Sequence, residues 1–402
     1  MHLYRGADRE ALLDELGAGD VLVASYDIVA MDIERLAQLE LATLIVDEAQ
    51  ALKNANSQRA RAVARLRAKW RLALTGTPIE NRVGDLWSIF SIVQPGLLGT
   101  WEHFRERFER PIARAQDRER LERLSALVRP YILRRRKDEV ARDLPPRTEL
   151  TRTIELSDDE RTLYEAQRRT ALDALAGAGA NEEARFAVLA AITRLRQLAC
   201  DPALVHAGTR VRSSKLDALI ELLDELHQRG GRALVFSQFT SLLARVRLLL
   251  DERSMSYLEL DGSTPAAARA KRVAEWQAGT QRVFLISLKA GGTGLNLTGA
   301  DWVVHLDPWW NPAVEDQATD RAHRIGQAKT VTVVRLVAQG TIEEAVLALH
   351  GEKRALARGV LEGAETAGKL SAAELVSLIR AGAAEDTDAP RGKELGADRR
   401  GR

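Results

Sequence analysis

Short apolar runs alternate with polar turns and amphipathic helices in two separate parts of the chain. This alternation is typical of parallel α/β layers, in which a buried strand is followed by a helix. In the first part, the pattern predicts strands at Val21–Ser25, Leu41–Val46 and Trp70–Leu74. In the second part, it predicts five further strands, at Ala233–Phe236, Tyr257–Leu260, Val283–Ser287, Trp302–Leu306 and Val331–Val337. Helices are predicted between these strands, at Lys215–Gln228, Ser241–Glu252 and Ala267–Gln277.

Between the two parts, from Phe104 to about Cys200, the pattern becomes mostly helical. Ser157 and Glu160 have the spacing of a capping box at a helix start. We therefore expect an α/β fold with a helical insertion between two lobes. The expected division is a first lobe at 1–103, a helical insertion and linker at 104–205, a second lobe at 206–350, C-terminal helices at 351–380 and a disordered tail of small and charged residues at 381–402.

Charge and composition restrict the function classes. The 402 residues carry 59 basic and 57 acidic side chains, so nucleic-acid binding would have to come from local basic patches. Cys200 is the single cysteine, which excludes an internal disulfide framework and a multi-cysteine zinc site. The N-terminus has no signal-peptide pattern, and no apolar run reaches the roughly 18 residues of a membrane span. The sequence predicts a cytoplasmic protein without a membrane partner.

Two acidic residues, Asp47 and Glu48, directly follow a predicted strand in the motif Leu44–Gln50. Ligands collect at the carboxyl ends of parallel strands, and two adjacent acids there suit a magnesium ion and a base that orients water. The alternative is a solvated turn whose acids are stabilised by the dipole of the next helix. This motif alone leaves both interpretations open.

Two further motifs also follow predicted strands. In Leu74–Asn81, two hydroxyls and a glycine would relay contacts between a nucleotide and a neighbouring lobe, although a plain turn has the same composition. In Ile286–Leu297, three glycines would let backbone N–H groups approach phosphate, although a flexible loop is equally compatible.

The fourth motif is Asp316–Gln327, in which Gln317, Arg321 and Arg324 have helical spacing and would share one face. Guanidinium groups pair with phosphate oxygens and stabilise phosphoryl transfer. The alternative is a surface helix with ion pairs. Near the C-terminus, Gly363–Leu370 resembles a phosphate-binding loop but has leucine where the magnesium-binding hydroxyl should be, so we interpret it as an interhelical loop.

Together, these motifs resemble the Swi/Snf family of superfamily-two ATP-dependent DNA translocases, which are helicase-like ATP hydrolases. The resemblance covers residues 2 to 380 or so. Besides DEAQ, LTGTPIEN and DRAHRIGQ, it includes five further blocks: YILRRRKDEVARDLPPR at Tyr131–Arg147, ITRLRQLACDPAL at Ile192–Leu204, LVFSQFT at Leu234–Thr240, LDGST at Leu260–Thr264 and LDPWWNPAVEDQA at Leu306–Ala318. It implies two RecA-like parallel α/β lobes, the first of them incomplete.

The resemblance also implies one ATP site formed by both lobes. Asp47 would bind Mg²⁺, Glu48 would activate water, and Gln50 would lie beside the γ-phosphate. Arg321 and Arg324 would act as arginine fingers from the second lobe. The remaining ATP-binding or coupling residues would be Thr75, Gly76, Thr77, Gly292, Thr293, Gly294 and Gln317.

Double-stranded DNA is the partner that the resemblance implies, with a DNA-bound protein as a possible target of remodelling. The blocks that line the DNA path in similar proteins contain Ser25, Tyr26, Ser237, Gln238, Ser263 and Lys289. Proteins of this kind move along the duplex without unwinding it. The alanine- and arginine-rich composition hints at a GC-rich bacterial genome and a nucleoid role.

The sequence departs from the family in two ways. Members carry a GxGKT phosphate-binding loop before the block that resembles His2–Glu10, and no GxxxxGK[ST] occurs in these 402 residues. We therefore expect an N-terminally truncated first lobe with an exposed sheet edge and very slow ATP hydrolysis by this chain alone. A non-catalytic DNA-binding module is the alternative. The WWNP and DRAHRIGQ motifs argue against a third interpretation, an RNA helicase. The second departure is Asp201, where the family usually has histidine.

Overall fold

The computed structural model describes residues 1–76, 83–115, 117–135, 137–141, 143–176, 182–291 and 294–350. The predictions made for 351–380, for 381–402, for the Gly363–Leu370 loop and for Thr77, Gly292 and Thr293 lie outside these residues. No helix in the described ranges has the length and apolar character needed to cross a membrane.

All strands in the described ranges pair in parallel. They are β1 His2–Leu3, β2 Leu22–Val23, β3 Glu40–Val46, β4 Arg67–Ala73, β5 Arg147–Ile154, β6 Ala233–Ser237, β7 Tyr257–Leu260, β8 Val283–Ser287, β9 Trp302–His305 and β10 Val331–Ala338. Every strand predicted from the hydrophobic pattern is therefore confirmed, with its ends shifted by a few residues at most. The α/β fold class is confirmed with them.

Helices connect these strands and form most of the region between the two lobes. They are α1 Tyr26–Met31, α2 Ile33–Leu36, α3 Gln58–Arg65, α4 Val83–Val93, α5 Trp101–Phe104, α6 Arg110–Ala115, α7 Arg118–Val128, α8 Lys137–Val140, α9 Asp158–Ala176, α10 Glu182–Cys200, α11 Ser214–Gln228, α12 Thr240–Glu252, α13 Ala266–Gln277, α14 Leu288–Gly291 and α15 Pro312–Thr319. The predicted capping box is present, since Glu160 N donates to Ser157 Oγ at 3.3 Å and Ser157 N donates to Glu160 Oε2 at 2.9 Å.

The second lobe is built on a six-stranded sheet with the order β5-β10-β9-β6-β8-β7. Strands β6 and β8 are buried at every position, as expected for parallel strands covered by helices on both faces. Alternate residues enter two different cores. Val235 and Leu285 pack in one, whereas Phe236 and Ile286 pack in the other.

Strand β5 was not predicted and comes from the region expected to be mainly helical. It pairs with β10 over eight residues, from Val331 opposite Arg147 to Ala338 opposite Ile154. Its sequence RTELTRTI is mostly polar because β5 is an edge strand whose side chains are largely exposed. The linker between the lobes therefore completes the sheet of the second lobe.

The end of α10 is attached firmly to the second lobe. Asp201, the residue that departs from the family pattern, is buried and accepts a hydrogen bond from Arg245 Nε at 2.9 Å. Its other oxygen accepts from Ala203 N at 2.9 Å. Asp201 thus joins the turn after α10 to helix α12.

The first lobe has two separate two-stranded sheets, β1-β2 and β3-β4, among the described residues. Helices α1 to α4 cover one face of β3-β4, where Val46, Val63 and Ile89 share a core. The opposite face is open to solvent, and the exposed fractions of Ile45 and Trp70 are 59% and 74%. Parallel sheets are normally covered on both faces. One face of this sheet is therefore exposed to water.

Candidate active site at the junction of the two lobes

The first two motifs meet at the carboxyl ends of β3 and β4. These strands are neighbours with Val46 opposite Ala73, and Ala49 N donates to Leu74 O at 3.0 Å. Asp47 and Glu48 follow β3, and Thr75 follows β4. Parallel strands bring their carboxyl ends to one edge, so this convergence is the one that the sequence predicts.

Glu48 has an unusual backbone conformation at this edge, with φ 48° and ψ 50°. A left-handed conformation at a residue other than glycine costs on the order of 1–3 kcal/mol and is often found at functional sites. The Glu48 carboxylate accepts a hydrogen bond from Gln50 Nε2 at 2.7 Å. Gln50 Oε1 in turn accepts from Thr75 Oγ1 at 2.6 Å. These bonds fix the position of the acid relative to the end of β4.

Asp47 is exposed, and its Oδ1 accepts from Glu48 N at 2.9 Å. Its backbone carbonyl accepts a hydrogen bond from the hydroxyl of Tyr26. Burial raises the pKa of Tyr26 to about 12, and the charges of Asp47 and Glu48 add to this shift. Tyr26 is therefore a neutral donor at neutral pH. Its neighbour Ser25 caps α1 by accepting from Ile28 N at 3.4 Å.

The second lobe reaches this site through α15. Gln317 Nε2 donates to Glu48 Oε1 at 3.1 Å, although the two residues are 269 positions apart in the sequence. Glu48 thus accepts one amide hydrogen bond from its own lobe and one from the other lobe. The expected approach of the two lobes around the acidic motif is present.

The prediction that Gln317, Arg321 and Arg324 share one helix is wrong, because α15 ends at Thr319. Arg321 O accepts from Leu297 N at 2.9 Å, which draws the chain away from the helical path. The turns that follow end near Gly326, whose φ of 101° strongly favours glycine. Both arginines therefore lie on turns after the helix.

Arg321 is still directed into the site. It is only 7% exposed, and its Nε donates to Gly291 O at 3.2 Å. Burial lowers the pKa of the guanidinium, while the negative charge of Glu48 opposes that shift. Arg324 is exposed, and its charge also lowers the pKa of Arg321. The arrangement places one buried and one solvated cation close to the acidic edge.

The glycine-rich motif has a packing requirement as well. A Cβ added at Gly291 would lie 2.8 Å from Phe236 Cε1, so no larger residue fits without movement. Gly294 has a φ of 43°, in the left-handed region. Lys289 is exposed on α14. Gly291 therefore allows this loop to lie close to β6.

The predicted DNA-facing residues of the second lobe lie at the carboxyl ends of β6, β8 and β7, which are consecutive strands of the sheet. Ser237 ends β6 but is fully buried, and its hydroxyl donates to Asp307 Oδ1 at 2.5 Å. Gln238 is partly exposed. Ser263 follows β7, is exposed, and donates to Asp261 Oδ1 at 2.7 Å. The structure thus groups these residues along one edge, with Ser237 engaged inside the lobe.

Comparisons with known proteins agree with this architecture. Residues 7–204 match the SNF2-related domain, and residues 214–326 match the helicase conserved C-terminal domain. The chain is 36% identical to the Bacillus subtilis protein YwqA, named as an ATP-dependent helicase/translocase, over 90% of its own length.

The chain belongs to the SNF2 family.

It is also 31% identical over 91% of its length to the ISWI chromatin-remodeling complex ATPase ISW1 of Saccharomyces cerevisiae. Among solved structures, the Sulfolobus solfataricus SWI2/SNF2 ATPase core domain is 33% identical, with a TM-score of 0.50, and the match covers 89% of this chain and 75% of that one. The two lobes are accordingly RecA-like. The chain spans 40% of YwqA and 34% of ISW1.

One contact of this SNF2-family chain was not anticipated from the sequence. Lys137, on α8 of the linker, forms an ion pair with Asp320 at 2.6 Å and donates to His323 O at 3.1 Å. The ring of His323 lies 2.7 Å from Pro145 O. In the sequence, Lys137 is notable only as part of the block Tyr131–Arg147. That block indicates that Lys137 belongs to a family motif, but a local sequence pattern does not identify a partner that lies 183 residues away.

The donor set at the site fits a magnesium-bound triphosphate in part. Asp47 offers an exposed carboxylate, and the nearby arginines suit phosphate oxygens. Within the described ranges, no cluster of three or more His, Cys, Asp or Glu side chains is arranged to hold a metal. A magnesium ion here would accordingly be held by one or two carboxylates, water and phosphate, which is its usual coordination in nucleotide sites.

Proposed function

We propose that this chain is the core of an ATP-dependent motor that moves along double-stranded DNA. The hydrogen bond between Glu48 and Gln317 is the observation that carries the proposal, because it joins the acidic edge of one lobe to the arginine-bearing segment of the other. The name of YwqA, a helicase/translocase, and that of ISW1, a chromatin-remodeling ATPase, support the same activity.

In this proposal, Asp47 is the Mg²⁺ ligand, and bound Mg²⁺–ATP supplies the phosphoryl group to be transferred. Glu48 orients the attacking water, and its two amide partners, Gln50 and Gln317, hold the carboxylate in place. Arg321 and Arg324 stabilise charge on the phosphate oxygens. The loop of Thr75, Gly76 and Thr77 and the loop of Gly292, Thr293 and Gly294 transmit the state of the site to the lobes.

Movement of the lobes would follow from the fact that both lobes contribute residues to this site. A nucleotide bound between the lobes favours their approach, and its hydrolysis removes that attraction. The DNA-facing set is Ser25, Tyr26, Ser237, Gln238, Ser263 and Lys289. Contacts of this kind to the DNA backbone are independent of sequence and sensitive to salt, which suits a protein that slides. We also propose a cytoplasmic, nucleoid-associated location and a DNA-bound protein as the object moved.

These 402 residues alone should hydrolyse ATP slowly, because they contain no GxxxxGK[ST] loop to hold the phosphates. The loss of such a phosphate-stabilising contact commonly costs about 3–4 kcal/mol in the transition state, which corresponds to a rate loss of a few hundredfold. The test is steady-state ATP hydrolysis by the chain and by YwqA, each with a saturating 40-base-pair duplex. Turnover equal to that of YwqA would contradict this part of the proposal.

A non-catalytic DNA-binding module is the second candidate, and the missing loop motif favours it. Glu48→Gln separates the two. In a motor, even slow DNA-stimulated hydrolysis should fall at least tenfold in this variant, while duplex binding stays within twofold. Hydrolysis that Glu48→Gln leaves unchanged, together with tight duplex binding, would favour the module. Duplex RNA in place of DNA tests the RNA-helicase alternative.

A further inference from the structure

A buried ion pair between the linker and the second lobe lies directly behind the predicted DNA-facing loop. Asp307 follows β9, and Arg196 lies on α10 of the linker. Both side chains are almost completely buried, and Arg196 Nη2 is 3.5 Å from Asp307 Oδ2. Arg196 Nη2 also donates to Pro308 O at 2.6 Å. An unpaired charge at such a depth is costly, so each group depends on the other.

Aromatic rings enclose the Arg196 guanidinium. Its central carbon lies 5.6 Å from the ring centroid of Phe239, 5.5 Å from that of Trp309 and 5.3 Å from that of Trp310. Cations are attracted to the faces of such rings, most strongly to tryptophan. The pair is therefore held from the side of β6, through Phe239, and from the side of α15, through the loop that contains the two tryptophans.

Asp307 organises the loop at residues 237–239. Its Oδ1 accepts from Ser237 Oγ at 2.5 Å and from Gln238 N at 3.3 Å. Ser237 Oγ accepts in turn from Phe239 N at 3.0 Å. Three consecutive residues of the predicted DNA-facing loop thus depend on one carboxylate.

Three buried polar atoms at this place lack a hydrogen-bond partner among the described residues. They are Asp307 Oδ2, Arg196 Nε and the side-chain nitrogen of Gln238. At 3.5 Å the ion pair is electrostatic rather than a hydrogen bond. The hydrogen-bonding capacity of this site is therefore incompletely used, and buried groups in that state call for an explanation.

We propose that Arg196 and Asp307 are positioning residues, in which the ionised carboxylate of Asp307 holds the 237–239 loop in its DNA-binding conformation and Arg196 ties that loop to the linker helix α10. This inference rests on the proposed function, since it assigns the loop to DNA. It gives the linker a direct route to the DNA-facing edge: a shift of α10 moves Arg196, then Asp307, and then the loop.

The environment of Asp307 makes its charge sensitive to pH. Burial raises the pKa of Asp307 to about 6, against the opposing influence of Arg196 and Ser237. Charged groups on the other packed elements also act on it: Glu343, after β10, raises the pKa, and Lys215 of α11 lowers it. Cys200 of α10 is nearby, and burial raises the pKa of its thiol, so that it stays neutral. Asp307 is therefore ionised at pH 7.5 and mostly protonated at pH 5.

The first experiment compares wild type with Asp307→Asn by fluorescence anisotropy on a labelled 30-base-pair duplex, at constant ionic strength. At pH 7.5 the variant should bind about tenfold more weakly, since hydrogen bonds to a charged group are lost. At pH 5 the two should agree within twofold, because wild-type Asp307 is then also neutral. Asp217→Asn is the matched control, since Asp217 is in an exposed pair with Arg212 at 2.9 Å. This control should leave binding unchanged at both pH values.

A second measurement does not require DNA. Trp309 and Trp310 adjoin Arg196, so the tryptophan emission of the wild type should change with a midpoint near pH 6, and this step should be absent in Asp307→Asn. Arg196→Met should move the midpoint to higher pH, because the ionised carboxylate loses its cation. A role in packing alone would lower stability without moving a midpoint.

The two measurements separate failure of this inference from failure of the proposed function. If no duplex binds but the emission step depends on Asp307, the DNA assignment is wrong and the ionised pair still organises the loop. If duplex binds but Asp307→Asn equals wild type at pH 7.5, the positioning role is overturned. An emission profile that is identical in wild type and Asp307→Asn also overturns it. If the variant does not fold, the wild-type profile still tests the proposal, because a wild type without a step near pH 6 would overturn it.

Discussion

Gln317 in the second lobe donates a hydrogen bond to Glu48 in the first lobe at 3.1 Å, and this contact brings the two halves of the site together. Glu48 is a carboxylate, whereas Gln317 is a neutral donor. A glutamate at position 317 would have the same shape, but it would face Glu48 as a second negative charge and could not donate when ionised.

We therefore expect Gln317→Glu to separate the lobes. Like charges at hydrogen-bond distance repel, so the closed arrangement should be less populated and the radius of gyration should rise in small-angle X-ray scattering. High salt should reduce the effect. Gln277→Glu is the matched control, because Gln277 donates to Asn296 O within the second lobe. Equal radii for Gln317→Glu and wild type at low salt would contradict the contact.

Gly291 should be intolerant of even one methyl group. Gly291→Ala places Cβ 2.8 Å from Phe236 Cε1 in a packed core, and overpacking of this kind costs about 1–3 kcal/mol. The free energy of unfolding from urea titration should fall by that amount. Gly262→Ala is the control, since nothing lies within 4 Å of its added Cβ and its backbone is not left-handed. Equal losses in the two variants would show that packing on Phe236 is not the cause.

Removing one partner of the buried pair Lys215–Glu343 should lower the free energy of unfolding strongly. Replacing both partners with apolar residues should lower it much less. Both side chains are fully buried and 2.5 Å apart, and Glu343 also accepts from Ala338 N at 2.8 Å. Lys215→Met leaves an uncompensated carboxylate, so urea unfolding should show a loss of about 3–5 kcal/mol. The double variant Lys215→Met with Glu343→Leu should recover much of it. The exposed pair of Arg212 and Asp217 gives the comparison, with an expected loss below about 1 kcal/mol.

His305 should make the protein sensitive to acid. Burial lowers the pKa of His305 to about 4, whereas an unfolded chain has the ordinary value of about 6.5. The unfolded state therefore takes up a proton first, and stability that is present above pH 6.5 is lost as the pH falls toward 4. The difference corresponds to on the order of 3 kcal/mol.

The measurement is the free energy of unfolding of wild type and His305→Gln between pH 4 and pH 7. Asp307 opposes the effect, because its raised pKa favours protonation of the folded state below about pH 6. The variant comparison removes this contribution, since both proteins keep Asp307. Relative to wild type, His305→Gln should lose less stability on acidification. Parallel curves would mean that His305 is not buried in its neutral form.

The sequence was informative wherever one local rule decided the structure. Apolar runs identified the buried strands β6 and β8, because both faces of these strands pack against helices. The Ser157–Glu160 capping box was also predicted, since its two hydrogen bonds span only three residues. At the site, one rule was enough to predict that Asp47 and Thr75 lie at the same edge: parallel strands bring their carboxyl ends together.

Features that depend on long-range contacts could not be predicted from local sequence patterns. Helical spacing suggested that α15 continues through Arg324, but the bond from Leu297 N to Arg321 O ends that path, and no local pattern contains it. Strand β5 was missed because it is an edge strand with exposed polar side chains. The partners of Lys137 and Arg196 lie more than a hundred residues away, so their roles emerge only from the folded chain.

The exposed face of β3-β4 determines how these 402 residues behave when they are handled by themselves. Three apolar side chains of this face are exposed to water, namely Ile45, Trp70 and Leu72. Exposed apolar surface of this kind promotes association between molecules. Self-association in concentrated solution is therefore an expected property of these 402 residues by themselves, and a surface packed on this face would suppress it.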